Sequence, residues 1–180
     1  MSSYENYIAY TTIVRKEVVR FFRIWPQTLL PPVITQSLYF LIFGKFIGTN
    51  LDGIQGISYM SFIIPGLVMM AVINSSFANV VSSFFSSKFQ RSVEELLVSS
   101  TPDWVIVAGY ATAGTVRGLL VGFIVLGVSA FFAHPRMDHM GLLLFFMILT
   151  AVVFSLGGFL NAVFAKKFDD VSIFPTCVLT

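Results

Sequence analysis

No Asp, Glu, Lys or Arg occurs between Ile57 and Ser87. An uncharged, apolar run of that length exceeds the ~20 residues a helix needs to cross the hydrocarbon core of a bilayer. Lipid offers the backbone no hydrogen-bond partner, so a spanning segment must satisfy its own N–H and C=O groups, as a helix does. Trp25–Gly44 and Met140–Ala165 are uncharged in the same way, and Trp104–Phe132 carries a single charge, Arg117. Charged residues make up 11% of the chain, against about 25% in soluble domains. The pattern predicts an all-α, polytopic membrane protein of one domain over residues 1–180.

Its expected parts run in order. An interfacial amphipathic helix occupies 1–24. Four complete transmembrane helices follow at 26–47, 59–85, 104–132 and 140–164, with a polar helix at 88–101 between the second and third. Residues 171–180 are apolar again but too few to cross, and read as the start of a fifth span that the chain does not complete. The first 24 residues lack the continuous apolar core of a signal peptide. One cysteine, Cys177, excludes an internal disulfide framework. His134 and His139 share a proline-containing loop with no further ligand pair, so no metal site is expected. Nothing predicts catalytic residues or nucleic-acid binding.

Within Tyr4–Trp25, helical spacing puts Lys16, Arg20 and Arg23 on one face and Tyr7, Val14, Val18, Phe21 and Trp25 on the other. That division suits a helix lying in the headgroup region; packing on a soluble partner is the alternative. Pro26 can open the first span at no hydrogen-bond cost, and Pro31–Pro32 should bend it.

Three features inside the spans carry chemistry. Ser75, Asn79, Ser83 and Ser87 recur every fourth residue and give the second span a polar stripe. The stripe is either a set of interhelical hydrogen bonds or the wall of a polar cavity. Arg117 is expensive at membrane depth and must face protein or water; it either ties two helices together or lines a transport path. Gly114, Gly118 and Gly122 form a small-residue ladder that lets another helix approach closely.

Basic residues fix the orientation. With the N-terminus inside, the cytoplasmic side holds Arg15, Lys16, Arg20, Arg23, Lys88, Arg91, Lys166 and Lys167, and the outer side only Lys45 and Arg136. The polar segment from Ser86 to Pro102 is then cytoplasmic. Ser92 and Glu95 have capping-box spacing, Glu94 and Glu95 sit in the favoured first turn, and Val93, Leu96 and Leu97 make a narrow apolar face. A plain connecting loop is the alternative to such a helix.

The order of these parts resembles the permease subunits of type-2 ABC exporters, the family that moves drugs, polysaccharides and other amphiphiles. Val93-Glu94-Glu95-Leu96-Leu97-Val98 with Pro102 is similar to the family's coupling-helix motif, usually Gly-Thr-Leu-Glu-x-Leu-Leu, with Arg91-Ser92 in place of Gly-Thr. Ile64-Pro65-Gly66-Leu67 resembles its second span and Arg15-Lys16-Glu17 its N-terminal helix. The resemblance implies a non-enzymatic subunit of a bacterial inner (cytoplasmic) membrane that binds no cofactor of its own. A separate cytoplasmic ABC ATPase would carry ATP and Mg. A second permease, expected to be an identical copy, would complete the path, with membrane lipid around both. Ser92, Val93, Glu94, Glu95, Leu96 and Leu97 would then couple to the ATPase, and Ser75, Asn79, Ser83 and Arg117 would line the path. An ATP-independent transporter or channel and a non-transporting scaffold subunit are the other readings.

Overall fold

The computed structural model describes residues 3–43, 59–98, 101–132 and 140–165. Every regular element among them is helical: α1 (Ser3–Arg23), α2 (Trp25–Leu41), α3 (Tyr59–Phe89), α4 (Ser92–Val98), α5 (Asp103–Phe132) and α6 (Met140–Phe164). The two expected outer loops, the charged segment after Ala165 and the expected start of a fifth span lie outside the described residues.

Three helical stretches, Ser61–Phe89, Asp103–Ala130 and Gly141–Phe164, are long and apolar enough to cross a membrane. The expected first span is the exception. Its described helix, α2, has 17 residues. At 1.5 Å per residue these cover roughly 25 Å, less than the ~30 Å hydrocarbon core. The expectation of four complete spans is therefore reduced to three among the described residues. Pro26 opens α2 as expected, but Pro31 and Pro32 lie within the helix without ending it. Each proline removes the N–H that would have reached the carbonyl four residues earlier, so the Gln27 and Thr28 carbonyls lose their usual donors.

α3 is the spine of the bundle and packs along both α5 and α6. Two apolar layers hold the helices together. One contains Phe40, Ile64, Val68, Val72, Val121, Val125 and Met147. The other contains Ile13, Phe77, Val80, Phe84, Val93, Ile106 and Tyr110. Between them along α3 and α5 lies a polar band with Ser75, Ser76, Asn79 and Arg117. In lipid there is no solvent-driven collapse between helices, so close backbone approach does much of the packing. The glycines supply it. A Cβ on Gly118 would collide with the Ser76 side chain and stand 3.2 Å from the Val72 carbonyl oxygen. Gly114 and Gly122 meet α3 and α6 in the same way. On α6, a Cβ on Gly158 would lie 2.8 Å from the Phe77 carbonyl oxygen.

α1 packs on α5 of its own chain, and its seated face differs from the expected one. Ile13, Glu17 and Phe21, at i, i+4 and i+8, are buried, whereas Tyr7 and Trp25 are exposed. Ile13 rests on Gly109, where an added Cβ would stand 2.7 Å from its Cγ2. A carboxylate in the middle of a buried stripe requires partners, and these come from α3 and from α1 itself.

Candidate translocation site and coupling helix

Glu17 is 3% exposed. It accepts a hydrogen bond from the Ser83 hydroxyl of α3 and pairs with Arg20 one turn along α1, with Nη2 3.0 Å from Oε2. The partner at i+3 neutralises the charge, and the serine satisfies it from across the helix interface. Ser83 itself is fully buried. The hydroxyl expected to line a path is thus engaged in holding α1 to α3.

One helical turn away along the stripe, Arg117 of α5 donates from Nη1 to Asn79 Oδ1 at 3.0 Å. Its guanidinium carbon lies 5.7 Å from the centroid of the Phe21 ring, within cation–π range. The Arg117 Nε is buried without a hydrogen-bond partner, and no carboxylate pairs with the guanidinium among the described residues. The positive charge is therefore held by a neutral amide and an aromatic face. Ser87, the last residue of the stripe, accepts a hydrogen bond from the Tyr110 hydroxyl at 3.2 Å.

Arg117 also borders a pocket of about 300 Å³ between α2, α3 and α5. Gln27, Thr28, Pro31, Pro32, Thr35 and Gln36 form its α2 wall, and Ala71, Asn74, Ser75 and Ala78 its α3 wall. Of the four expected path residues, the structure brings Ser75 and Arg117 to this pocket. It gives Asn79 to Arg117 and Ser83 to Glu17. Sequence reasoning missed Glu17, Gln27, Thr28 and Gln36. A signal existed for Gln36, a large amide inside an uncharged apolar run. For Glu17 the signal was its place in the Arg15-Lys16-Glu17 run, while its neighbours Arg15, Lys16 and Arg20 make it look like part of a solvated charged face.

At the other end of α3, the chain turns into α4 through Arg91, whose φ is 58°. This is the left-handed region, which side chains with a Cβ enter at a cost of roughly 1–2 kcal/mol and glycine enters freely. Arg91→Gly should therefore stabilise the protein by about 0.5–1 kcal/mol, the relief being partly offset by the greater freedom of glycine in the unfolded chain. Thermal unfolding in detergent, compared with wild type, checks this. The Ser92 hydroxyl donates to the Ser87 carbonyl at 3.1 Å, which folds that side chain back over the turn at the start of α4.

The end of α3 that leads into α4 is tied down, and α4 itself is seated on the core. Val93 is buried in the core layer that also contains Ile13 and Phe84. Tyr110 bonds Ser87 just before the turn. Lys88 Nζ donates to the Val163 and Ala165 carbonyls, each at 2.9 Å, where a cation meets the unsatisfied end and negative pole of α6. Glu94 and Val98 are exposed, Val98 at 87%. The side chains of Glu95, Leu96 and Leu97 lie outside the described residues.

A polar band through a bundle of membrane helices, with a short helix anchored beneath it, fits a transporter subunit. The family model for the ABC-2 type transporter matches residues 8–180. The chain belongs to the ABC-2 type transporter family. It is a permease subunit, and it is 53% identical over 174 residues to the inner membrane transport permease YadH of Escherichia coli K12, covering 97% of this chain and 68% of that protein. The same figures hold for the YadH of Shigella flexneri. Nodulation protein J of Neorhizobium galegae is 22% identical over 176 residues, covering 97% of this chain and 66% of that protein. No solved structure matches. In this ABC-2 permease, transport is what the bundle exists to perform, and the residues above are the parts available for it.

Proposed function

We propose that the protein is the inner-membrane permease of an ABC exporter for an amphiphilic substrate, with α4 as the helix through which a separate cytoplasmic ATPase moves the spans. The observation that carries this reading is the anchoring of the junction between α3 and α4. Lys88 joins the end of α3 to α6, Tyr110 joins it to α5, and Val93 seats α4 in the core. A push on the exposed side of α4 is therefore delivered to three membrane helices at once, which a loosely attached loop could not do. Glu94 and Val98 supply a polar and an apolar contact on that side. ATP and Mg act on the ATPase.

The N-terminus lies in the cytoplasm, a reading that the distribution of Lys and Arg supports. α2, continued by the uncharged Ile42 and Phe43, serves as an additional span before α3. α1 lies along the inner interface, where Arg15, Lys16, Arg20 and Arg23 line a basic groove suited to an anionic leaflet. A second copy of the chain faces the first, and the polar band with Ser75, Asn79 and Arg117 borders the path that opens alternately to either side.

The test is Glu94→Ala combined with Val98→Ala, measured for ATP hydrolysis and substrate flux in the same proteoliposomes. Surface substitutions of this kind change stability by about 0.5 kcal/mol or less, so insertion and yield should stay normal. The expected result is flux reduced at least severalfold while the ATPase still co-purifies. Full flux at normal hydrolysis would return Ser86–Pro102 to a simple connection.

A further inference from the structure

The pocket between α2, α3 and α5 combines groups whose hydrogen-bonding capacity the described contacts leave partly unused. Arg117 brings a positive charge with no carboxylate pairing it, since the nearby Glu17 is paired with Arg20. Its Nε is buried and unpartnered, so one edge of the guanidinium fork is free. Gln36 is 4% exposed, and its side-chain carbonyl oxygen is buried without a donor. Pro31 and Pro32 leave the Gln27 and Thr28 carbonyls short of their helical donors, and all four residues border the same space. A membrane helix that keeps an unneutralised arginine beside unsatisfied acceptors bears a solvation penalty that one amide and one aromatic face offset only in part. The groups complement a ligand that has an anion and hydrogen-bond donors side by side. A guanidinium recognises phosphate or carboxylate through its planar fork.

We propose that this pocket binds the headgroup of an anionic amphiphile, with Arg117 on its phosphate or carboxylate and Gln36 and the two freed carbonyls of α2 on adjacent hydroxyls. This inference rests on the export reading above and gives that substrate its chemical class. The volume, about 300 Å³, accommodates a headgroup and leaves the acyl tail in the surrounding lipid.

The test uses the full permease–ATPase complex in neutral phosphatidylcholine nanodiscs. The probe is short-chain phosphatidylglycerol, which carries a phosphate and two hydroxyls. Short-chain diacylglycerol and inorganic phosphate serve as the separate tail and anion. Wild type should bind the phosphatidylglycerol saturably and the other two weakly. Arg117→Gln should weaken binding about tenfold or more, the loss of a charge-assisted hydrogen bond. Arg117→Lys should fall between the two, because the charge remains and the fork is gone. Gln36→Leu, which keeps the interior apolar and filled, should also weaken binding and guards against an Arg117 variant that fails to fold. Lys16→Gln removes a cation of the α1 groove, outside the pocket, and should weaken binding far less than Arg117→Gln.

Equal binding by wild type and both pocket variants overturns the proposal. So does a loss in Lys16→Gln equal to that in Arg117→Gln, which would place the anion on the outer surface of α1. Inorganic phosphate binding as tightly as the lipid would overturn the amphiphile and leave a free-anion site. Failure of the coupling reading looks different: the α4 variants would keep full flux while phosphatidylglycerol binding still depended on Arg117.

Discussion

Gly118→Leu should prevent stable assembly of the bundle. At this position even a methyl group would strike the Ser76 side chain and crowd the Val72 carbonyl. The hydroxyl of Ser76 can rotate away, but a carbonyl within α3 cannot move without breaking the helix that carries the whole packing. A leucine adds three further carbons between two backbones that are in contact. Over-packing of a filled core costs about 1–3 kcal/mol, occasionally more, and this site lies at the upper end because both walls are main chain or fully buried. The expected result is a variant that aggregates on extraction, or unfolds far below wild type when heated in detergent. Gly127→Leu is the internal control. It lies on the same helix, yet nothing stands within 4 Å of an added Cβ, so it should behave as wild type. Gly118→Ala with Ser76→Ala should recover part of the loss, because the hydroxyl collision is removed while the carbonyl crowding remains. Equal stability of Gly118→Leu and Gly127→Leu would show that the ladder faces lipid.

Glu17→Leu should be the second most damaging change. The substitution takes the acceptor from Ser83, which is buried, and leaves Arg20 and Arg117 as two cations without a carboxylate near them among the described residues. Removing one partner of a buried ion pair costs about 3–5 kcal/mol, and of an exposed pair about 1 kcal/mol or less. Glu17 is buried but the Arg20 side chain is 35% exposed, so the loss should be near 2–3 kcal/mol, between these limits. Glu17→Gln keeps a hydrogen-bond acceptor for Ser83 and should lose less. Arg20→Ala should also be destabilising, since it strands the carboxylate. Protease sensitivity of α1 and thermal unfolding together measure the effect. Release of α1 without loss of the α3–α5–α6 bundle is the expected pattern, because Gly118 and its neighbours do not depend on Glu17. An unchanged melting temperature for both Glu17→Leu and Arg20→Ala would mean that α1 is not held by this carboxylate.

The two predictions separate what is local in this protein from what is not. The existence and type of α3, α5 and α6 were legible in the sequence because the rule behind them is local. An apolar segment in lipid has only its own backbone to bond with, so length and lack of charge suffice to make it a helix. The short α4 was legible from its polar setting between two such runs and from the Pro102 that follows it. The glycine ladder was visible from spacing alone, though the helices it meets were not.

Partner choice was not legible. Four residues of the α3 stripe look equivalent in one dimension, yet Ser75 faces a pocket, Asn79 holds Arg117, Ser83 serves Glu17 and Ser87 serves Tyr110. Glu17 reads as one charge among several on a basic helix and is instead the buried end of a contact across 66 residues. The left-handed turn at Arg91 is occupied by a residue that local preference argues against, and only the packing of α4 under α3 imposes it. Sequence period determines which face of a helix a residue occupies. What that face meets is decided by the other helices, because a buried polar group must find its partner wherever the packed bundle places one.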